Sequence, residues 1–118
     1  MPGSSKLPNY LRAHRKRLGL SQDDWASLMG CQSGAQCSRY ERFEVEPKLE
    51  AAFMCGFISA EPLNRLFEGV YERAAERVTR QARTLLKKYQ RSEVSPEVRE
   101  KIKALEAICA RTVHSHHS

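Results

Sequence analysis

Six residues, Tyr71, Ala75, Val78, Ala82, Leu85 and Tyr89, recur at spacings of four, three, four, three and four. Those intervals keep side chains on one face of an α-helix but scatter them over both faces of a strand, so only a helix fits. The run 68–91 that holds them has no proline, and its one glycine, Gly69, stands at its start. The run therefore predicts one long helix with a coiled-coil type of apolar seam. After the break QRSEVS, Ser95 and Pro96 supply a capping residue and a first-turn proline for a further helix. Val98, Ile102, Leu105 and Cys109 repeat the four-three-four spacing. Two such seams with a short connection predict a helical hairpin. Two helices alone leave apolar surface uncovered, so either the rest of the chain or a second copy must complete the packing.

The remainder of the chain fits the same class. A length of 118 residues makes one domain, or one small domain with an extension. No stretch alternates β-branched and aromatic residues as a strand does, and aromatics are only 8%. An all-α fold is expected. The net charge of +6 and a pI near 9.4 favour a polyanionic partner. No apolar run approaches the ~20 residues that span a bilayer, and MPGSSKLPNY lacks the apolar core of a secretory signal. The expected location is the cytoplasm, with the nucleoid included. No Gly-rich phosphate loop, HExxH or nucleophile elbow is present. Enzymatic activity, cofactors and metals are therefore not expected. Cys31, Cys37, Cys55 and Cys109 form no CxxC pair. Cys37 and Cys55 read as small core thiols. His114, His116 and His117 read as part of a frayed tail, not a metal site.

The stretch 21–41, SQDDWASLMGCQSGAQCSRYE, carries the functional signal. Ser21 followed three residues later by Asp24 is a capping-box pattern. Trp25, Leu28 and Met29 then give one apolar face, and Gly30 can end the helix in the left-handed conformation. Cys31 and Gln32 form a turn, Ser33 is the expected cap of the next helix, and residues 34–42 follow. Cys37 and Tyr40 are its inward candidates, while Ala35, Gln36, Arg39 and Arg42 fall on other faces. A helix with a narrow apolar stripe and small or hydrogen-bonding residues outside suits a DNA major groove. Arginine can bond guanine O6 and N7, and glutamine can bond adenine N6 and N7.

These residues carry a family resemblance. Arg12 and Arg15, Gly19-Leu20-Ser21-Gln22, Gly30, Ser38-Arg39-Tyr40-Glu41 and Pro47-x-Leu49-Glu50 keep the order and near-spacing of the Cro/C1-type (XRE) helix-turn-helix regulators. The chain resembles that family over roughly residues 7–67. The resemblance implies a bundle of about five helices that binds double-stranded operator DNA as a dimer. It implies base contacts from Ala35, Gln36 and Arg39. Backbone contacts are expected from Arg12, Arg15, Gln22, Ser33, Ser38 and Arg42, with Gln22 also bracing the reader helix. Three features depart from the family pattern: a turn one residue longer before Ser38, Phe43 where a small residue often ends the reader helix, and Trp25 where leucine is usual.

The expected organisation is a DNA-binding domain over 1–67 and a C-terminal helical extension over 68–118. Symmetry raises operator affinity, so a second copy is the preferred partner of the hairpin, through Tyr71, Val78, Leu85, Ile102 and Leu105. The alternative is an antitoxin or other interaction module whose C-terminal helices bind a second protein. Within the first domain, residues 1–6 are expected to be disordered. Pro8 suits the start of a first helix with Tyr10, Leu11, His14 and Leu18 on its stripe. His14 reads as structural. Glu41 is expected to pair internally, with Arg15 as its suggested partner. Pro47 suits a first helical position, and Leu49, Ala52, Phe53, Gly56 and Phe57 read as a buried stripe. Pro62 opens a last helix that closes the core through Leu63, Leu66 and Phe67. Arg73, Arg77, Arg80, Arg83, Lys87 and Lys88 read as a solvated helix surface.

Overall fold

The computed structural model describes residues 9–111. Pro8, residues 1–6 and the three tail histidines lie outside the described residues. The chain is all-helical: α1 Leu11–Leu18, α2 Gln22–Leu28, α3 Ala35–Glu41, α4 Leu49–Ser59, α5 Leu63–Leu66, α6 Glu68–Gln90 and α7 Pro96–Ala110. It divides into two compact units, Met1–Tyr71 and Glu72–Ser118. No helix among the described residues is long and apolar enough to cross a membrane.

The first unit packs α1 to α5 around Leu11, Trp25, Cys37, Tyr40, Cys55, Leu66 and Phe67. Local chemistry sets each helix end. Gly19 closes α1 in the left-handed region, φ 75°, where its N–H reaches the Arg15 and Lys16 carbonyls. The capping box of α2 is present in both directions: Asp24 N donates to Ser21 Oγ, and Ser21 N donates to Asp24 Oδ2, each at 2.9 Å. Gly30 follows α2 at φ 80°. A backbone bond from Tyr10 N to the Leu66 carbonyl and a side-chain bond from Asn9 Nδ2 to the Tyr40 carbonyl, both 2.9 Å, fasten the entering segment to α5 and α3.

Several expected core positions lie elsewhere. Leu18 and Leu28 are exposed, because the buried faces of α1 and α2 are centred on Leu11 with Arg15 and on Trp25 with Ala26. α4 is rotated relative to expectation. Ala52 and Gly56 of the expected stripe do face inward, but Leu49, Phe53 and Phe57 point to solvent, Phe57 being 89% exposed, and Ala51, Cys55 and Ile58 take their place. Small residues face inward because neighbouring elements come close. A Cβ on Gly56 would lie 2.8 Å from Leu63 Cδ2 and 3.3 Å from the Glu61 carbonyl. α4 begins at Leu49 with Lys48 as its cap, so Pro47 sits before the helix instead of in its first turn.

The second unit holds α6 beyond Tyr71, and α7. Ser95 caps α7 by accepting from Val98 N at 3.1 Å, with Pro96 in the first turn. The Lys101 ammonium lies 4.9 Å from the centroid of the Tyr89 ring, across the two helices. Packing here is shallow. Ala82 is the one fully buried residue of α6, and α7 has none. Val78, Ala82, Leu85, Leu105 and Ile108 line an open apolar groove within this unit.

Candidate nucleic-acid interface

α3 is a short helix with two chemically distinct faces. Cys37, Tyr40 and Glu41, at i, i+3 and i+4, are buried. Ala35, Arg39 and Arg42, at i, i+4 and i+7, are exposed. Ser38 is half-buried, and so is Gln36, whose Nε2 donates to the Tyr40 hydroxyl at 3.3 Å. Arg39 makes no ion pair among the described residues. Arg42 makes only a loose exposed one with Glu44, 3.5 Å, of a kind worth little in water.

The first turn of α2 positions the start of α3. Gly34 N donates to Asp23 Oδ1 at 2.8 Å. Ser33, the expected cap, is exposed and accepts only a long bond from Ala35 N, 3.4 Å. The role passes to Asp23 because Gly34 lies directly against α2. A Cβ at this position would fall 2.9 Å from both the carbonyl carbon and Cβ of Gln22. Glycine here permits the close approach of the two helices.

A buried polar network fixes the other end. Arg15 Nε donates to Glu41 Oε2 at 2.5 Å and its Nη2 to Glu41 Oε1 at 3.1 Å, while Nη1 donates to the Leu20 carbonyl at 2.9 Å. Gln22 Nε2 and Cys37 Sγ also donate to the Glu41 carboxylate. One carboxylate thus ties α1, α2 and α3 together. Burial by itself would raise the Glu41 carboxyl, but the hydrogen bonds from Arg15, Gln22 and Cys37 outweigh it and hold it below the usual range. The Arg15 guanidinium is held above its ordinary value by the bond to Glu41, against the opposing effect of burial. Burial pushes the Cys37 thiol up to about 12 and the Cys55 thiol up to about 11, which keeps both protonated at neutral pH.

This network bears on one expected contact. Arg15, expected at a phosphate, is buried, and its Nε, Nη1 and Nη2 each donate to a protein acceptor, so the guanidinium is engaged in a structural ion pair with Glu41. Gln22 is half-buried and braces α3 through Glu41. Arg12, Lys16 and Arg17 are the exposed cations of α1. His14 is half-buried, with Nε2 3.3 Å from Glu61 Oε2. The Trp25 indole N–H is buried with no regular hydrogen bond.

The residues expected to pair two copies are divided. Tyr71 lines a cavity of about 230 Å³ in the first unit, with Glu46, Pro47, Ala52, Leu63, Phe67 and Val70 among its walls, whereas the other four belong to the second unit. In the second unit Val78 and Leu85 are exposed, and Ile102 and Leu105 are half-buried. Among the described residues, no group of acidic, histidine and cysteine side chains could hold a metal ion. The positions that sequence reasoning missed are Asp23 and the close approach at Gly34. An acidic residue in the first turn of α2 and a glycine opening α3 were the available signals, but they are eleven residues apart in the chain. Compared with protein families, curated proteins and solved structures, the chain matches none.

Proposed function

We propose that the chain is a sequence-specific DNA-binding regulator of the Cro/C1-type helix-turn-helix class that acts as a homodimer. In this reading α3 enters the major groove and Arg39 reads a base edge, with Ala35 allowing close approach and Gln36 turning out from Tyr40 to reach a neighbouring base. Arg12, Gln22, Ser33, Ser38 and Arg42 contact phosphates on either side. The apolar groove of Val78, Leu85 and Leu105 supplies the surface for a second copy, and the operator is an inverted repeat with half-sites about 34 Å apart. The outcome is repression through occupation of the promoter.

The observation that carries the reading is the division of labour on α3. Its inner face is anchored by a buried carboxylate network, and its outer face leaves Arg39 exposed with no ion pair among the described residues. Selection of bound duplexes from a random pool tests the reading, and an inverted repeat is the expected product. Arg39→Ala should then cost about 1–3 kcal/mol at the selected site and relax preference at one base pair. Recovery of no enriched sequence, or equal losses on selected and scrambled duplexes, would count against it.

A further inference from the structure

The excess positive charge is not where the reader helix is. Met1–Tyr71 carries nine Lys and Arg against eight Asp and Glu, and one of those nine is neutralised inside by Glu41. Glu72–Ser118 carries eleven against six. Within the second unit the acids are also segregated. α7 mixes Glu97, Glu100 and Glu106 with Arg99, Lys101 and Lys103, whereas no Asp or Glu occurs between Arg77 and Ser92.

At about 100° per residue, Arg73, Arg77, Arg80, Arg83, Lys87 and Lys88 all fall within roughly 140° of the α6 circumference. That arc lies opposite the Tyr71, Ala75, Val78, Ala82 and Tyr89 seam. The stripe runs for about 22 Å along the helix. Arg77, Arg80, Arg83 and Lys87 are exposed and make no ion pair among the described residues, and even Glu76, four residues before Arg80, does not close on it. Like charges at i, i+3 and i+4 repel on a helix surface. The arrangement therefore works against the helix alone and is relieved by a line of anionic groups laid along it.

We propose that this face of α6 is a second, sequence-independent contact with the DNA phosphate backbone, which lies outside the groove read by α3 and supplies most of the counterion release. The inference rests on the reading that the chain binds DNA. A duplex suits the stripe because it presents phosphates as a regular line on a stiff surface.

The test is a salt titration of the full chain on its selected duplex and on a scrambled one. The triple variant Arg77→Gln, Arg80→Gln, Lys87→Gln is compared with the double variant Arg77→Lys, Arg80→Lys, which keeps the charge. Each phosphate contact contributes about 0.9 to the slope of log K against log salt on B-DNA. The glutamine variant should flatten the slope by about 2.7 on both duplexes, with the ratio of affinities between them unchanged, and the lysine variant should retain the slope. Circular dichroism of both variants at equal concentration confirms that helix content is kept. An unchanged slope with an intact affinity ratio overturns the α6 contact while leaving the α3 reading standing. Failure of the unmodified chain to bind any duplex overturns both. Loss of sedimentation with phosphatidylserine vesicles in the glutamine variant, with no change in the DNA slope, overturns the proposal in favour of a lipid surface.

Discussion

The two units solve the same problem, holding helices together, by different means. The first spends a buried ion pair, a capping box and tight backbone turns on five short helices. All four positive-φ residues among the described ones, Gly19, Gly30, Phe43 and Ala60, lie there. The second has no buried ion pair and no left-handed residue among those described, and it relies on two long helices with half-buried seams. Short helices have little intrinsic stability and take their orientation from tertiary contacts. A unit that must aim one of them accurately therefore needs directional bonds. A long helix carries charge along a line and needs direction much less.

The sharpest way to break this comparison is at Glu41. Removing one partner of a buried, hydrogen-bonded pair leaves an uncompensated charge, at a cost of about 3–5 kcal/mol. Glu41→Ala should lower the stability reported by Trp25 fluorescence by about that amount. Trp25 is the sole tryptophan and is buried in the first unit. Circular dichroism follows all seven helices, so a residual transition at the original position should remain from α6 and α7. Coincident shifts of both signals would show that the two units unfold as one. The pH dependence has a definite sign. The Glu41 carboxyl is held below its ordinary value in the folded state. Its contribution is therefore complete above the ordinary carboxyl pKa of about 4.3 and is lost as pH falls through the depressed folded value. Glu41→Gln should remove that part of the acid sensitivity of the Trp25 signal.

A smaller effect is expected at the helix junction. Gly34→Ala would place a Cβ 2.9 Å from Gln22 backbone and side-chain carbons, so α3 must shift away from α2. The expected cost is about 1–3 kcal/mol, as for other overpacked sites. Displacement of α3 should also weaken binding to the selected duplex more than to a scrambled one. A stability loss with unchanged discrimination would separate the placement of α3 from its recognition role.

Sequence reasoning reached these two regions unequally, for physical reasons. The α6 and α7 seams and the Ser21 capping box were legible because each is a local pattern at a fixed spacing. The Glu41–Arg15 pair was suggested by family order, but the same reasoning also placed Arg15 on a phosphate. Periodicity cannot tell a buried arginine from an exposed one. The α4 stripe was right at Ala52 and Gly56 and wrong at Leu49, Phe53 and Phe57, because LEAAFMCGFIS is apolar on nearly every side and no period selects a face. The choice was made by Gly56 packing against Leu63, a contact between different helices. Asp23 and Gly34 were missed for the same reason: their bond spans α2, the turn and the start of α3.

The mildest test concerns the turns that distinguish the first unit. Ala60 closes α4 at φ 55°, and Phe43 follows α3 at φ 63°. An L-residue with a Cβ pays about 1 kcal/mol or more in the left-handed region, part of which glycine gives back through the freer unfolded chain. Ala60 is exposed, so Ala60→Gly should stabilise the Trp25 transition by about 0.5–1 kcal/mol with nothing else lost. Phe43 is half-buried and lines a small cavity together with Asn9, Val45 and Phe67, so Phe43→Gly gives up burial that offsets the backbone gain. A gain at Ala60 with little or none at Phe43 would show that α3 ends on a strained residue kept for its side chain. Equal gains at both would mean that the aromatic ring contributes nothing to the close of α3.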